Sequence, residues 1–141
     1  MDGWNCKCRI DLRHITISSL NKKILREHSE KESPNESCAI LFGKEDLVSD
    51  VFLTDNIEKS PINFTISNDQ LIKVYKTAEE KNVEVIGIFH SHPNSEAYPS
   101  NTDKKFMQSN PVAWVIYSGT NKDFRAYLLE SEIKEIPIEE K

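Results

Sequence analysis

The chain has 141 residues, 38% of them apolar and 29% charged, with a formal net charge of −5; that length suits one domain with a core that needs no external staple. Lys and Arg are scattered among Asp and Glu with no basic stripe, which argues against nucleic acid as the main partner. No apolar run approaches the roughly 20 residues of a membrane span.

The N-terminus, Met1 to Cys8, has no apolar stretch of signal-peptide length and reads as a flexible arm over 1–8. The three cysteines, Cys6, Cys8 and Cys38, cannot all pair within one chain, and the first two lie too close for a comfortable bridge. Reduced thiols and a cytoplasmic location are the expectation. The two glycosylation-type sequons, at Asn35 and Asn63, are then chance matches.

Arg9 to Ile17 alternates imperfectly and predicts a first strand. Leu20, Ile24, Leu25 and His28 recur at helical spacing, and Glu32-Ser33-Pro34-Asn35 has the turn chemistry to end that helix. Cys38 to Phe42, closed by Gly43, reads as a buried strand, and Leu47 to Leu53 as a second. Asn56 to Asn63 is a loop, Phe64 to Ile66 is extended, and Ser67 caps a helix to about Lys81 with Leu71, Ile72, Tyr75 and Ala78 on one face.

Val83 to Phe89 forms an apolar strand that ends at His90 to His92, where Pro93 stops it. Asn94 to Pro99 is a loop. Ser100 or Asn101 starts a short helix that ends before Pro111. Val112 to Tyr117 is another buried strand, and Phe124 to Leu129 with Glu132 to Ile138 suggests a final hairpin. The expected organisation is a single domain over 9–138 with a fraying tail at 139–141, built as a mixed sheet flanked by helices.

Alternation along a strand sends His90 and His92 to one face and Ser91 to the other. Two imidazoles on one face can close on a single ion, with Asp103, in the first turn of the next helix, as a third ligand. Three protein ligands leave a fourth position for water, the arrangement of a catalytic rather than a structural zinc. The same residues also fit a blander reading: a structural His-x-His pair, and Ser100-x-x-Asp103 as a helix capping box. Glu36 opens the apolar run at Cys38 and can reach a site at a neighbouring strand end as general base, although most such glutamates are solvated. The Ser100 hydroxyl can donate to a developing oxyanion.

Glu36, then His90-Ser91-His92-Pro93, then Ser100 and Asp103 resemble the JAMM (MPN-plus) metalloprotease signature. That signature is an upstream glutamate, His-Ser/Thr-His, seven residues, Ser, two residues, Asp; here Pro93 to Pro99 supply the seven, and Asn101-Thr102 the two. Asn35 to Gly43 also looks like the family's first core strand, with Ala39 where glycine is frequent. Asn56, Ser60-Pro61 and Phe64 fall where compact archaeal and bacterial members carry similar residues, so the likeness runs from about Ile10 to Leu129.

The resemblance implies a mixed α+β fold related to cytidine deaminases, a curved mixed sheet with helices around it. It implies one catalytic zinc with a bound water, held by His90, His92 and Asp103, with Glu36 as general acid/base and Ser100 assisting the oxyanion. It also implies cleavage of the bond after the C-terminal tail of a ubiquitin or ubiquitin-like modifier, with those modifiers and their conjugates as partners. A sulfur-carrier peptidase of the same family and a non-catalytic binding scaffold are the alternatives. Some members lack the ligands and act as scaffolds, whereas this chain retains every one. A mononuclear iron oxygenase shares the two-His, one-carboxylate set but ranks below these, because no cosubstrate-binding arginine pattern stands out. The insertions that some eukaryotic members use for linkage selectivity are missing.

Overall fold

The computed structural model describes residues 12–141. The expected arm at 1–8, with Cys6 and Cys8, lies outside them, as do the first residues of the strand expected from Arg9. Within them that strand is short: β1 covers Ile15–Ile17, paired along its whole length with a terminal strand of only three residues.

Ser18 then starts α1 (Ser19–Glu32), its hydroxyl accepting from the Asn21 N–H at 3.0 Å. β2 (Cys38–Lys44) and β3 (Leu47–Thr54) follow. The segment 55–67 is irregular, and Phe64 to Ile66 joins no strand ladder. Ser67 caps α2 (Asn68–Lys81), which ends on Asn82 in the left-handed conformation at φ 56°. β4 (Glu84–His92), α3 (Asn101–Ser109), β5 (Ala113–Ser118), β6 (Phe124–Leu129), β7 (Ile133–Ile136) and β8 (Ile138–Glu140) complete the chain. No helix among the described residues is long and apolar enough to cross a membrane.

All strands join one sheet in the order β7-β6-β5-β4-β2-β3-β1-β8. It is mixed: β4 and β5 are parallel, β1 is parallel to both β3 and β8, and the other pairs are antiparallel. The sheet curves until β8 approaches β6. The fold is therefore the mixed, helix-flanked architecture that the sequence pattern suggests, with the curvature that the family resemblance implies.

One face of the sheet buries Ile17, Leu41, Phe89, Val115 and Tyr117 together with Leu25 of α1. On the opposite face, Val74 and Ala78 of α2 cover Ile40 and Phe42 of β2, and Met107 of α3 covers Trp114 and Ile116 of β5. Two expectations are corrected here. Ile72 and Tyr75 do not lie on the packed side of α2; they are 66% and 61% exposed, because Val74 and Ala78 turn inward and rotate the neighbouring stripe to solvent. The tail is paired in the sheet through Glu140: Ile138 to Glu140 align with Ile15 to Ile17, and Lys22 meets the Glu140 carboxylate at 3.0 Å.

Antiparallel pairing sets up the site. Cys38 of β2 lies opposite His90 of β4, so the start of β2 meets the end of β4. Whatever precedes Cys38 is thereby brought beside His92.

Candidate metal centre

The pleat of β4 puts His90 and His92 on the α2/α3 face, where both are buried. Their Nε2 atoms lie 3.0 Å apart. Asp103 reaches them from the first turn of α3, its Oδ2 standing 3.1 Å from His90 Nε2 and 3.2 Å from His92 Nε2. Among the described residues these three form the group whose donor atoms converge as metal ligands do. Two donors on one tetrahedral zinc, each about 2.0–2.1 Å from it, stand roughly 3.3 Å apart, so this triangle has the dimensions of three ligands around one ion.

The protonation chemistry points the same way. His92 Nδ1 donates to the Glu96 carbonyl at 2.9 Å, so whenever the ring is neutral its Nε2 lone pair faces the Asp103 carboxylate. Two acceptors facing each other repel unless a proton or a cation lies between them. Burial alone would raise the Asp103 carboxyl, but hydrogen bonds from His90 and His92 outweigh it and hold the group far below the usual carboxylate range. Burial pulls His90 down against the pull of Asp103. For His92, burial is outweighed by Asp103 and the Glu96 carbonyl, and the imidazole is raised.

Asp103 is also part of a capping box. The Ser100 hydroxyl accepts from the Asp103 N–H at 3.1 Å, and the Ser100 N–H donates to Asp103 Oδ2 at 2.9 Å. The capping-box reading of this motif holds, and the same box aims the carboxylate at the two imidazoles. The Ser100 hydroxyl keeps its own proton free to donate elsewhere.

Glu36 sits just before β2. Its Oε2 is 4.0 Å from His92 Nε2, and its Oε1 is buried without a hydrogen-bond partner. Burial is the main cause that raises this carboxyl to about 8, against the opposing pull of His92. Cys38 faces the same side, in register with His90, but its sulfur accepts from the Thr54 hydroxyl at 3.1 Å and burial pushes its thiol up to about 11. It stays outside the ligand group, which argues against a closed structural site.

On the other face Ser91 Oγ accepts from the Ser37 N–H at 2.9 Å and the Ser37 hydroxyl at 3.0 Å, while the Ser91 N–H donates to the Ser37 carbonyl at 3.0 Å. Ser29 of α1 extends this seam, 3.1 Å from Ser37 Oγ. At the end of β4, Gly119 N donates to the His92 carbonyl at 2.9 Å. A Cβ at 119 would lie 2.5 Å from the Pro93 carbonyl oxygen, so only glycine fits that approach. Phe64 stacks on the His90 ring at 4.9 Å, and Trp114 meets it edge-on at 5.8 Å.

All five site residues expected from the sequence lie in this one region, joined by contacts between ligands, cap and Glu36. Residues not singled out for the site are the Ser29-Ser37-Ser91 seam, the Glu96 carbonyl and the aromatic cover. Ser91 sits between the two histidines, so period-two alternation marks it as facing a second buried surface; the Glu96 carbonyl has no side-chain signal at all.

Comparison with known proteins gives consistent matches. The family model described as prokaryotic homologues of the JAB domain matches residues 21–130. A desampylase of Pyrococcus furiosus is 36% identical over 105 residues, covering 73% of this chain and 74% of that protein. A CysO-cysteine peptidase of Mycobacterium tuberculosis is 28% identical over 117 residues, covering 79% of this chain and 80% of that one. Among solved structures, a solution structure of a Desulfitobacterium hafniense protein superposes with a TM-score of 0.83 at 26% identity, covering 90% of this chain and 92% of that one.

Proposed function

The chain belongs to the prokaryotic JAB-domain family, and from that membership we propose that it is a zinc-dependent isopeptidase cutting the bond that follows the C-terminal tail of a ubiquitin-like modifier. It is a hydrolytic enzyme of the JAMM type, as its named peptidase and desampylase relatives are. The observation that carries the reading is the buried triangle of His90, His92 and Asp103 with the unpartnered Glu36 carboxylate beside it.

His90, His92 and Asp103 would hold the ion, which would supply Lewis acidity and lower the pKa of a water toward about 7. Glu36 takes a proton from the attacking water at its free carboxylate oxygen and hands it to the leaving amine. Its raised carboxyl suits both halves of that task, because a group poised near neutrality can accept and release. The Ser100 hydroxyl donates to the oxygen on which negative charge develops. The capping box holds that hydroxyl in place before substrate arrives.

Substituting Glu36→Gln tests the assignment. Cleavage of a modifier–lysine conjugate is expected to fall by several orders of magnitude while stoichiometric zinc is retained; full activity in this variant contradicts it. A second reading is favoured by the CysO-cysteine peptidase relative: removal of a residue from a sulfur-carrier protein. Linear cleavage combined with failure on every isopeptide conjugate would select it.

A further inference from the structure

Asn56 lies in the loop after β3, on no strand and no helix, yet it is only 6% exposed. Its side chain spends all of its hydrogen-bonding capacity. Nδ2 donates to the Glu36 carbonyl at 3.0 Å and to the Asn63 carbonyl at 2.9 Å. Oδ1 accepts from the Glu58 N–H and the Thr65 N–H, each at 3.1 Å. An amide offers two donors and two lone pairs, so nothing is left over.

The partners are informative. Glu36 is the residue beside His92. Asn63 and Thr65 flank Phe64, whose ring stacks on His90 at 4.9 Å and 26°. One buried amide therefore ties the backbone of the acid/base to the backbone that seats an aromatic ring on a metal ligand. The Glu36 N–H is held from the same loop, by the Ser60 carbonyl at 2.8 Å. β2 begins only at Cys38, so the backbone of Glu36 takes its support from this loop rather than from a ladder.

We propose that Asn56 is a positioning residue that fixes Glu36 and Phe64 relative to the two histidines. It touches neither ion nor substrate and acts through those two neighbours. A site of this kind tolerates little slack: a displacement of about 1 Å costs roughly 100-fold in rate. The catalytic consequence rests on the reading of Glu36 as acid/base, whereas the mechanical tie does not.

The test uses Asn56→Ala and Asn56→Ser. The second adds no charge beside Glu36 and leaves a short hydroxyl that can still make one hydrogen bond but cannot span both carbonyls, so it remains informative where the alanine variant fails to fold. Three quantities are read: amide hydrogen exchange at Glu36, the proton shift of the His90 ring, and kcat and KM of the zinc-loaded enzyme. The tie predicts faster exchange at Glu36 by about tenfold or more, and a changed His90 ring shift as the Phe64 ring loses its seat. It also predicts a kcat lowered at least about tenfold with KM within about twofold. Opening confined to 57–65, with Glu36 exchange and the His90 ring shift unchanged, overturns the proposal and leaves a simple loop staple. An unchanged kcat in a variant whose loop has opened overturns it as well. Should the unaltered enzyme hydrolyse no conjugate, the functional reading falls, while the exchange and ring-shift results still decide the tie.

Discussion

At the scale of single residues, protons and cations compete for the same atoms. His92 is raised and Asp103 is held down by their mutual contacts, so a proton on His92 would compete with the proposed zinc. Affinity is expected to weaken as pH falls, with the onset above the ordinary imidazole value because His92 is raised, read by titrating zinc into the protein across pH. Glu36 has the opposite leaning. Its carboxyl is raised from 4.5 to about 8 in the folded chain, so between those values the folded state binds more protons than the unfolded one. Its contribution to stability is full below about 4.5 and is lost as pH rises through about 8. Melting of the metal-free protein at pH 5 and pH 8 checks this: the loss over that range is expected to shrink in Glu36→Gln. Ser100→Ala separates the cap seen in the structure from the proposed oxyanion role. Loss of the cap is expected to cost about 1 kcal/mol of stability, and loss of the proposed oxyanion donor to lower kcat by about 100-fold. A variant that shows only the first effect removes Ser100 from the chemistry.

At the scale of elements, each piece of the site comes from the end of a segment whose interior makes the core. β4 runs apolar through Phe89 and turns functional at His90, and α3 carries Asp103 in its capped first turn while Met107, one turn on, packs beneath Trp114. Leu25→Ala in α1 is expected to cost about 2–5 kcal/mol by leaving a cavity in the main cluster. Tyr75→Ala on α2 is expected to change stability by no more than about 0.5 kcal/mol, because its ring faces solvent; chemical denaturation of the two variants checks both.

These elements also show what a sequence exposes. Period-two alternation was enough to put both histidines on one face, and a Ser three residues before an Asp was enough to start α3. On α2, Leu71, Ile72, Val74 and Tyr75 offer two overlapping apolar stripes, and only the sheet beneath selects Val74 and Ala78. The short β8 was illegible because its partner lies at the other end of the chain. Asn56 was illegible as a site element because a polar residue in a loop looks solvated, and its burial arises only when the loop folds back on Glu36.

At the scale of the whole molecule, the topology explains why so few residues suffice. Antiparallel β2 and β4 bring Glu36 to His92, and the connection through α3 carries Asp103 back to the same end of β4. The sheet curls so that α1 fills one face, leaving the opposite face to α2, α3 and the site. Every polar group of the centre is buried or half-buried, which strengthens the interactions that order it.

The central proposal is that the buried triangle binds a single zinc ion and that this ion is required for hydrolysis of a modifier conjugate. The direct measurement is cleavage of ubiquitin-like protein conjugates by the purified enzyme, with and without a zinc chelator, alongside metal content. One zinc per chain is expected, with activity abolished by the chelator and restored by added zinc, and with both metal and activity absent in Asp103→Ala. Cleavage that survives complete metal removal, or an Asp103→Ala variant that keeps its zinc and its activity, contradicts it.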